Sequence, residues 1–144
     1  MLMSVHANGY ADSRIERTSV TSNAFDGNKI GVSATRDVQV FLPSNYDKSD
    51  QAYPVLYYLH SFFEDETAFF ETYDGQARLD AAMAEGFLSD VIVVAADFNT
   101  PVGGTFFTSS PVTGDWLKFT AEDLVSHIDR TYRTLPHPDS RGIF

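Results

Sequence analysis

Residues 54–60 read PVLYYLH and residues 91–97 read VIVVAAD. Both are short, continuous apolar runs rich in β-formers. Such runs suit parallel strands covered by helices on both faces, because a strand with one wet face would alternate apolar and polar positions. Between them, ARLDAAMAEGF places Leu79, Ala82 and Met83 on one helical face, with Gly86 as the stop signal. Strand, helix, strand is a βαβ unit, so the chain reads as an α/β domain.

Upstream, RIERTSVTS mixes polar and apolar residues as an early, exposed strand does, and DGNK (residues 26–29) is a turn signal. In TRDVQVFLP, Val38, Val40 and Leu42 point one way and Asp37, Gln39 and Phe41 the other, predicting a half-buried strand ended by Pro43. Downstream, residues 99–114 read as a long loop, a length that is often functional inside a compact domain. In FTAEDLVSHIDRTYRT, Ala121, Leu124, Val125, Ile128 and Tyr132 fall at helical spacing, with Thr120 as the expected N-cap and Glu122 and Asp123 in the first turn. LPHPDS ends that helix, and RGIF (residues 141–144) reads as the opening of another strand.

At 144 residues the chain is one domain, residues 1–144, with residues 1–12 expected to be flexible. The hydrophobic share of 43% and charged share of 21% are those of a folded protein. A net charge of -10 disfavours nucleic acid and anionic membranes, since both are bound through basic patches. No apolar run approaches the ~18 residues of a membrane span. No signal peptide is visible, which leaves open a cytoplasmic protein or one whose leader has been removed. Without cysteine there is neither disulfide nor thiolate chemistry. Phe 12 and Tyr 7 imply an aromatic core and allow an aromatic cleft.

YPVLYYLHSFFEDETAFF, VIVVAADFNT, SSPVTGDWLKFTAEDLVSHIDRTYRT and DSRGIF, in that order and spacing, resemble the esterase family of α/β-hydrolases that contains esterase D-like and feruloyl-esterase-type enzymes. The likeness runs from about Ile15 to Phe144, and its most specific pieces are SPVTGDW (residues 110–116) and IDRTYRT (residues 128–134). The resemblance implies the N-terminal half of an α/β-hydrolase fold, a mixed, mostly parallel sheet flanked by helices. It implies serine esterase chemistry on small-molecule esters, without a cofactor or metal. Members continue past this last strand into a G-x-S-x-G elbow, with the acid and histidine later. This sequence has none of those parts, so the expectation is a truncated domain that is inactive alone. The same resemblance assigns one oxyanion donor to the loop after PVLYYLH, the backbone N–H of Phe62 with Ser61 beside it. Members usually carry glycine at Ser61, and a serine there is expected to distort or narrow the loop.

Other chemistry in the chain is weak. Ser109, Ser110, His60, His127, Asp97 and Asp123 are the residue types of a triad, but no serine sits in an elbow. His127 and Asp123 are spaced i, i+4, as a solvated pair would be, while His60 is expected to satisfy local backbone and His137 to lie on a loop. Glu64, Asp65 and Glu66 lack calcium-loop spacing and read as a solvated acidic turn. Gly103 and Gly104 are not a phosphate loop and read as flexibility. Phe106, Phe107 and Trp116 are candidates for an acyl or aromatic pocket, with core packing as the alternative. Two further readings stand beside the esterase: a non-catalytic module that binds or oligomerises through the aromatic loop from Asn99 to Trp116, and a truncated product without a role of its own. A sheet edge left open by an incomplete last strand is also expected to drive self-association.

Overall fold

The computed structural model describes residues 12–144. The expectation of a flexible start therefore lies, apart from Asp12, outside the described residues. Five strands form the main sheet in the order β1-β2-β4-β3-β7: β1 Arg14–Thr21, β2 Thr35–Leu42, β3 Val55–Tyr58, β4 Ile92–Ala96 and β7 Arg141–Ile143. β1, β2 and β4 pair antiparallel, whereas β3 lies parallel to both β4 and β7. The sheet is thus mixed, with its parallel pairs at the β3 and β7 end, in keeping with the expected α/β class. A small antiparallel pair, β5 Asn99–Thr100 and β6 Gly103–Gly104, folds inside the segment expected to be a plain loop.

The period of 2 along each strand sorts side chains into two cores. On one face Val38, Val40, Val55, Tyr57, Ile92 and Val94 pack with Trp116, Phe119, Leu124 and Ile128. On the other, Phe41, Val93 and Ala95 meet Leu79 of helix α1 (Gly75–Ala84) and Phe70. β2 is therefore covered on both faces rather than half-buried. Even Gln39 and Arg36 are buried, because β1 and β4 flank the strand and a helical layer lies on each side.

The second helical segment starts four residues before the expected cap. Asp115, not Thr120, is the N-cap: its carboxylate accepts from the Lys118 N–H at 3.0 Å, and α2 begins at once as Trp116–Lys118. A π-turn over Phe119–Asp123 then leads into α3, Leu124–Thr131. One widened turn shifts the helical phase, so Phe119 and Leu124 both face the core although they are five positions apart, and Ala121 is left exposed.

RGIF does complete its pairing. Arg141, Gly142 and Ile143 register against Val55, Leu56 and Tyr57, and the Leu59 N–H donates to the Phe144 carbonyl at 3.0 Å. β3 is consequently interior, and the edge strands of the described sheet are β1 and β7.

Candidate functional site

Ligands of parallel sheets bind beyond the carboxyl ends of the strands, where backbone groups and loops converge. Here the ends of β3 and β4 deliver residues 59–64 and 97–104 to one place. His60 ties them together. Its Nδ1 donates to the Ser61 carbonyl at 2.8 Å, and its Nε2 accepts from the Phe98 N–H at 2.9 Å. Both ring nitrogens are spent on backbone, and the ring is buried, so His60 is a strut rather than a base.

The loop that follows is built around Phe62. Its carbonyl accepts from the Gly104 N–H at 2.9 Å. A Cβ on Gly104 would meet the Phe62 carbonyl oxygen at 2.7 Å, and one on Gly103 would meet the Phe62 ring at 2.7 Å. The glycine pair thus serves close approach of β6 to this loop, a role the sequence reading assigned to flexibility. Among the described residues no acceptor pairs with the Phe62 N–H. The Ser61 N–H, by contrast, donates to Glu64 Oε2 at 3.0 Å. Ser61 is not among the residues with positive φ, so serine at this position carries no left-handed strain.

Glu64, read from the sequence only as part of a solvated acidic turn, organises the loop. Its carboxylate also accepts from the Tyr58 hydroxyl at 2.9 Å and from the Tyr73 hydroxyl. These donors hold its carboxyl well below the usual carboxylate range, to about 2, with the Tyr73 hydrogen bond the largest cause. A signal was present: Ser61-Phe-Phe-Glu64 has the S-x-x-E spacing in which a glutamate reaches back to the backbone N–H three residues earlier. The neighbouring acids face elsewhere. Asp65 accepts from the Thr67 N–H and hydroxyl, and burial with nearby Asp97, Asp65 and Asp37 pushes the Glu66 carboxyl up.

The aromatic candidates separate. Phe106 is 81% exposed, and its ring lies 5.5 Å from that of Phe62. Phe107 has φ 57 and packs half-buried on Phe98 at 4.9 Å. Trp116 is 0% exposed among Phe25, Phe98 and Phe119, under the Arg36 guanidinium, and offers no surface to a ligand in this arrangement.

The triad residue types do not assemble. Ser109 donates to Asp115 Oδ1 at 2.5 Å, and Ser110 pairs with the Thr113 hydroxyl. Asp97 holds Arg36, and Asp123 holds Lys118 and Ser22. His127 is not paired with Asp123: its Nε2 lies 3.5 Å from the Thr18 hydroxyl, and burial with Arg130 nearby lowers its affinity for a proton. His137 is exposed beside Asp139. None of Ser109, Ser110, His60, His127, Asp97 and Asp123 is paired with another of the six.

The family model described as "Putative esterase" matches residues 31–144. The chain belongs to this esterase family. Solved structures agree on the fold. A ferulic acid esterase superposes with a TM-score of 0.75 at 21% identity, covering 92% of this chain and 48% of its own. A ferulic acid esterase from Anaeromyces mucronatus, solved with ferulic acid, gives 0.70 at 19% identity, covering 94% of this chain and 49% of its own. An S-formylglutathione hydrolase from Agrobacterium tumefaciens gives 0.70 at 13% identity, covering 95% and 50%. The esterase chain described here therefore spans about half the length of these structures. Its fold is that of the α/β-hydrolase esterases.

Proposed function

We propose that this chain is the oxyanion-loop half of a serine carboxylesterase acting on small-molecule esters, and that by itself it does not turn them over. The observation that carries the reading is the Phe62 N–H, unpaired among the described residues, at the carboxyl end of β3 in a chain of the esterase family. In such hydrolysis a serine oxygen attacks the ester carbonyl while a histidine takes its proton. The π electrons of the carbonyl move onto its oxygen, and that oxyanion needs fixed N–H donors. Phe62 supplies one donor from a loop already held by His60, Glu64 and Gly104, so little reorganisation remains for the reaction to pay. The tetrahedral intermediate then collapses, and the C–O bond to the leaving group breaks as the histidinium gives its proton to that oxygen. The alcohol departs, and water frees the acyl group in the same way. No serine–histidine–carboxylate set is available among the described residues to begin this sequence.

A fluorophosphonate probe and an aryl ester assay test the second half of the proposal: no label and no turnover are expected, and covalent labelling of this chain overturns it. Fusion to a family member's segment bearing the elbow and the remaining triad residues tests the first half. Ester hydrolysis is expected, and a folded but inert fusion argues against the esterase reading.

A non-catalytic reading draws support from Phe106 and Val102, which are 81% and 76% exposed on the 99–116 segment beside Phe62. Calorimetry with aromatic acids decides it, since heat of binding that disappears in Phe106→Ala is its signature.

A further inference from the structure

The turn after β3 gathers an unusual set of donors on one side chain. Glu64 Oε2 takes the Ser61 N–H at 3.0 Å and the Tyr58 hydroxyl at 2.9 Å, and Oε1 takes the Tyr73 hydroxyl. The backbone of the same residue is also committed. Its N–H donates to the Ser61 carbonyl at 3.1 Å, and its carbonyl accepts from Asn99 Nδ2 at 2.8 Å. One residue therefore joins the end of β3, the turn, the segment leading into α1, and the start of β5.

We propose that Glu64 is the positioning residue of the oxyanion loop, fixing the Ser61–Glu64 turn and withdrawing the Ser61 N–H while the Phe62 N–H is left presented. The inference rests on the reading that this loop supplies the oxyanion donor. Two adjacent amides compete to point out of such a turn, and a donor is useful only if it is aimed before charge develops. A carboxylate accepts charge-assisted bonds, roughly twice as strong as neutral ones, so it settles that competition. The two phenols matter for the same reason. They occupy two of the remaining lone pairs and disperse the carboxylate charge, which would otherwise repel an oxyanion forming nearby. Phe144 adds a second brace: its ring lies 5.4 Å from Tyr58, against the phenol that holds Glu64.

The role is separable from support of the core. Glu64 is absent from both apolar clusters, and of its side-chain partners only Tyr58, on β3, packs against one of them. Amide hydrogen exchange by NMR on the 144-residue chain reads it directly. Slow exchange is expected at Ser61 and fast exchange at Phe62. In Glu64→Ala, Ser61 exchange rises about tenfold or more and the Phe62 amide resonance moves, while Val93 and Val94 in β4 keep their protection. Glu64→Gln keeps an acceptor and is expected to restore most of the Ser61 protection. Unprotected Ser61 in the unsubstituted chain overturns the proposal. So does a Phe62 amide indifferent to Glu64→Ala, or a loss of protection spread into β4. None of these outcomes depends on turnover, so failure here is distinct from failure of the esterase reading in the fusion.

Discussion

Asp97 Oδ2 accepts a hydrogen bond from Arg36 Nη2 at 2.6 Å, joining the start of β2 to the end of β4. The Arg36 side chain is 6% exposed, and it also donates to the carbonyls of Asp97 and Asn99. A buried guanidinium deprived of its carboxylate keeps its desolvation penalty without the compensating charge. Asp97→Ala is expected to lower stability by about 2–3 kcal/mol, because the two carbonyls remain as partial compensation. Urea unfolding checks this as a lower midpoint at an unchanged slope.

The contact between β6 and Phe62 gives a second prediction. In Gly104→Ala the new methyl would lie 2.7 Å from the Phe62 carbonyl oxygen and 2.8 Å from its Cα, so backbone must move. A cost of about 1–3 kcal/mol is expected, together with displaced Ser61 and Phe62 amide resonances. Gly103→Ala adds strain of its own at φ +121.

Glu64 gives the acid limb of stability. Its folded carboxyl is held at about 2 against an ordinary 4.5, so the folded state favours the ionised form. The stabilisation is complete above pH 4.5 and is lost as pH falls from there through about 2. Urea midpoints measured across that interval are expected to fall in the parent chain and to fall less in Glu64→Gln. Solvent screening at this surface turn keeps the effect modest.

Tyr57 presents the opposite case. Its hydroxyl is buried with no hydrogen-bond partner among the described residues, and burial pushes its ionisation above the ordinary value of 10. Tyr57→Phe removes an unpaired polar atom and is expected to raise stability by about 1 kcal/mol at neutral pH. The phenol's raised value means that stability is intact below pH 10 and declines above it as the unfolded chain ionises; the Phe variant lacks that share of the alkaline loss.

We also propose that the chain self-associates through β7. In the described sheet β7 pairs with β3 and stands at the edge, carrying Ile143 and Phe144 at 70% and 48% exposure. An open apolar edge is a template for a second strand. Light scattering is expected to show concentration-dependent association that Ile143→Lys reduces. A monodisperse monomer at roughly 100 µM refutes it.

PVLYYLH and VIVVAAD, by composition and period alone, determined the central parallel pair and the α/β class, because a strand buried on both faces must be apolar throughout. Order and spacing of four segments carried the family resemblance. Local patterning misjudged β2, read as half-buried although Gln39, on the face opposite Val38 and Val40, is roofed by elements distant in sequence. It also missed the π-turn at Phe119–Asp123, since a widened turn serves core packing and not intrinsic propensity. The site divides in the same way. The sequence could mark Phe62 by resemblance, and the S-x-x-E spacing hinted at Glu64. Only the tertiary structure could show that Tyr58, Tyr73, Asn99 and Gly104 converge on that turn. Hydrogen bonds between residues up to tens of positions apart depend on where strands end in space, and no periodicity along the chain encodes that.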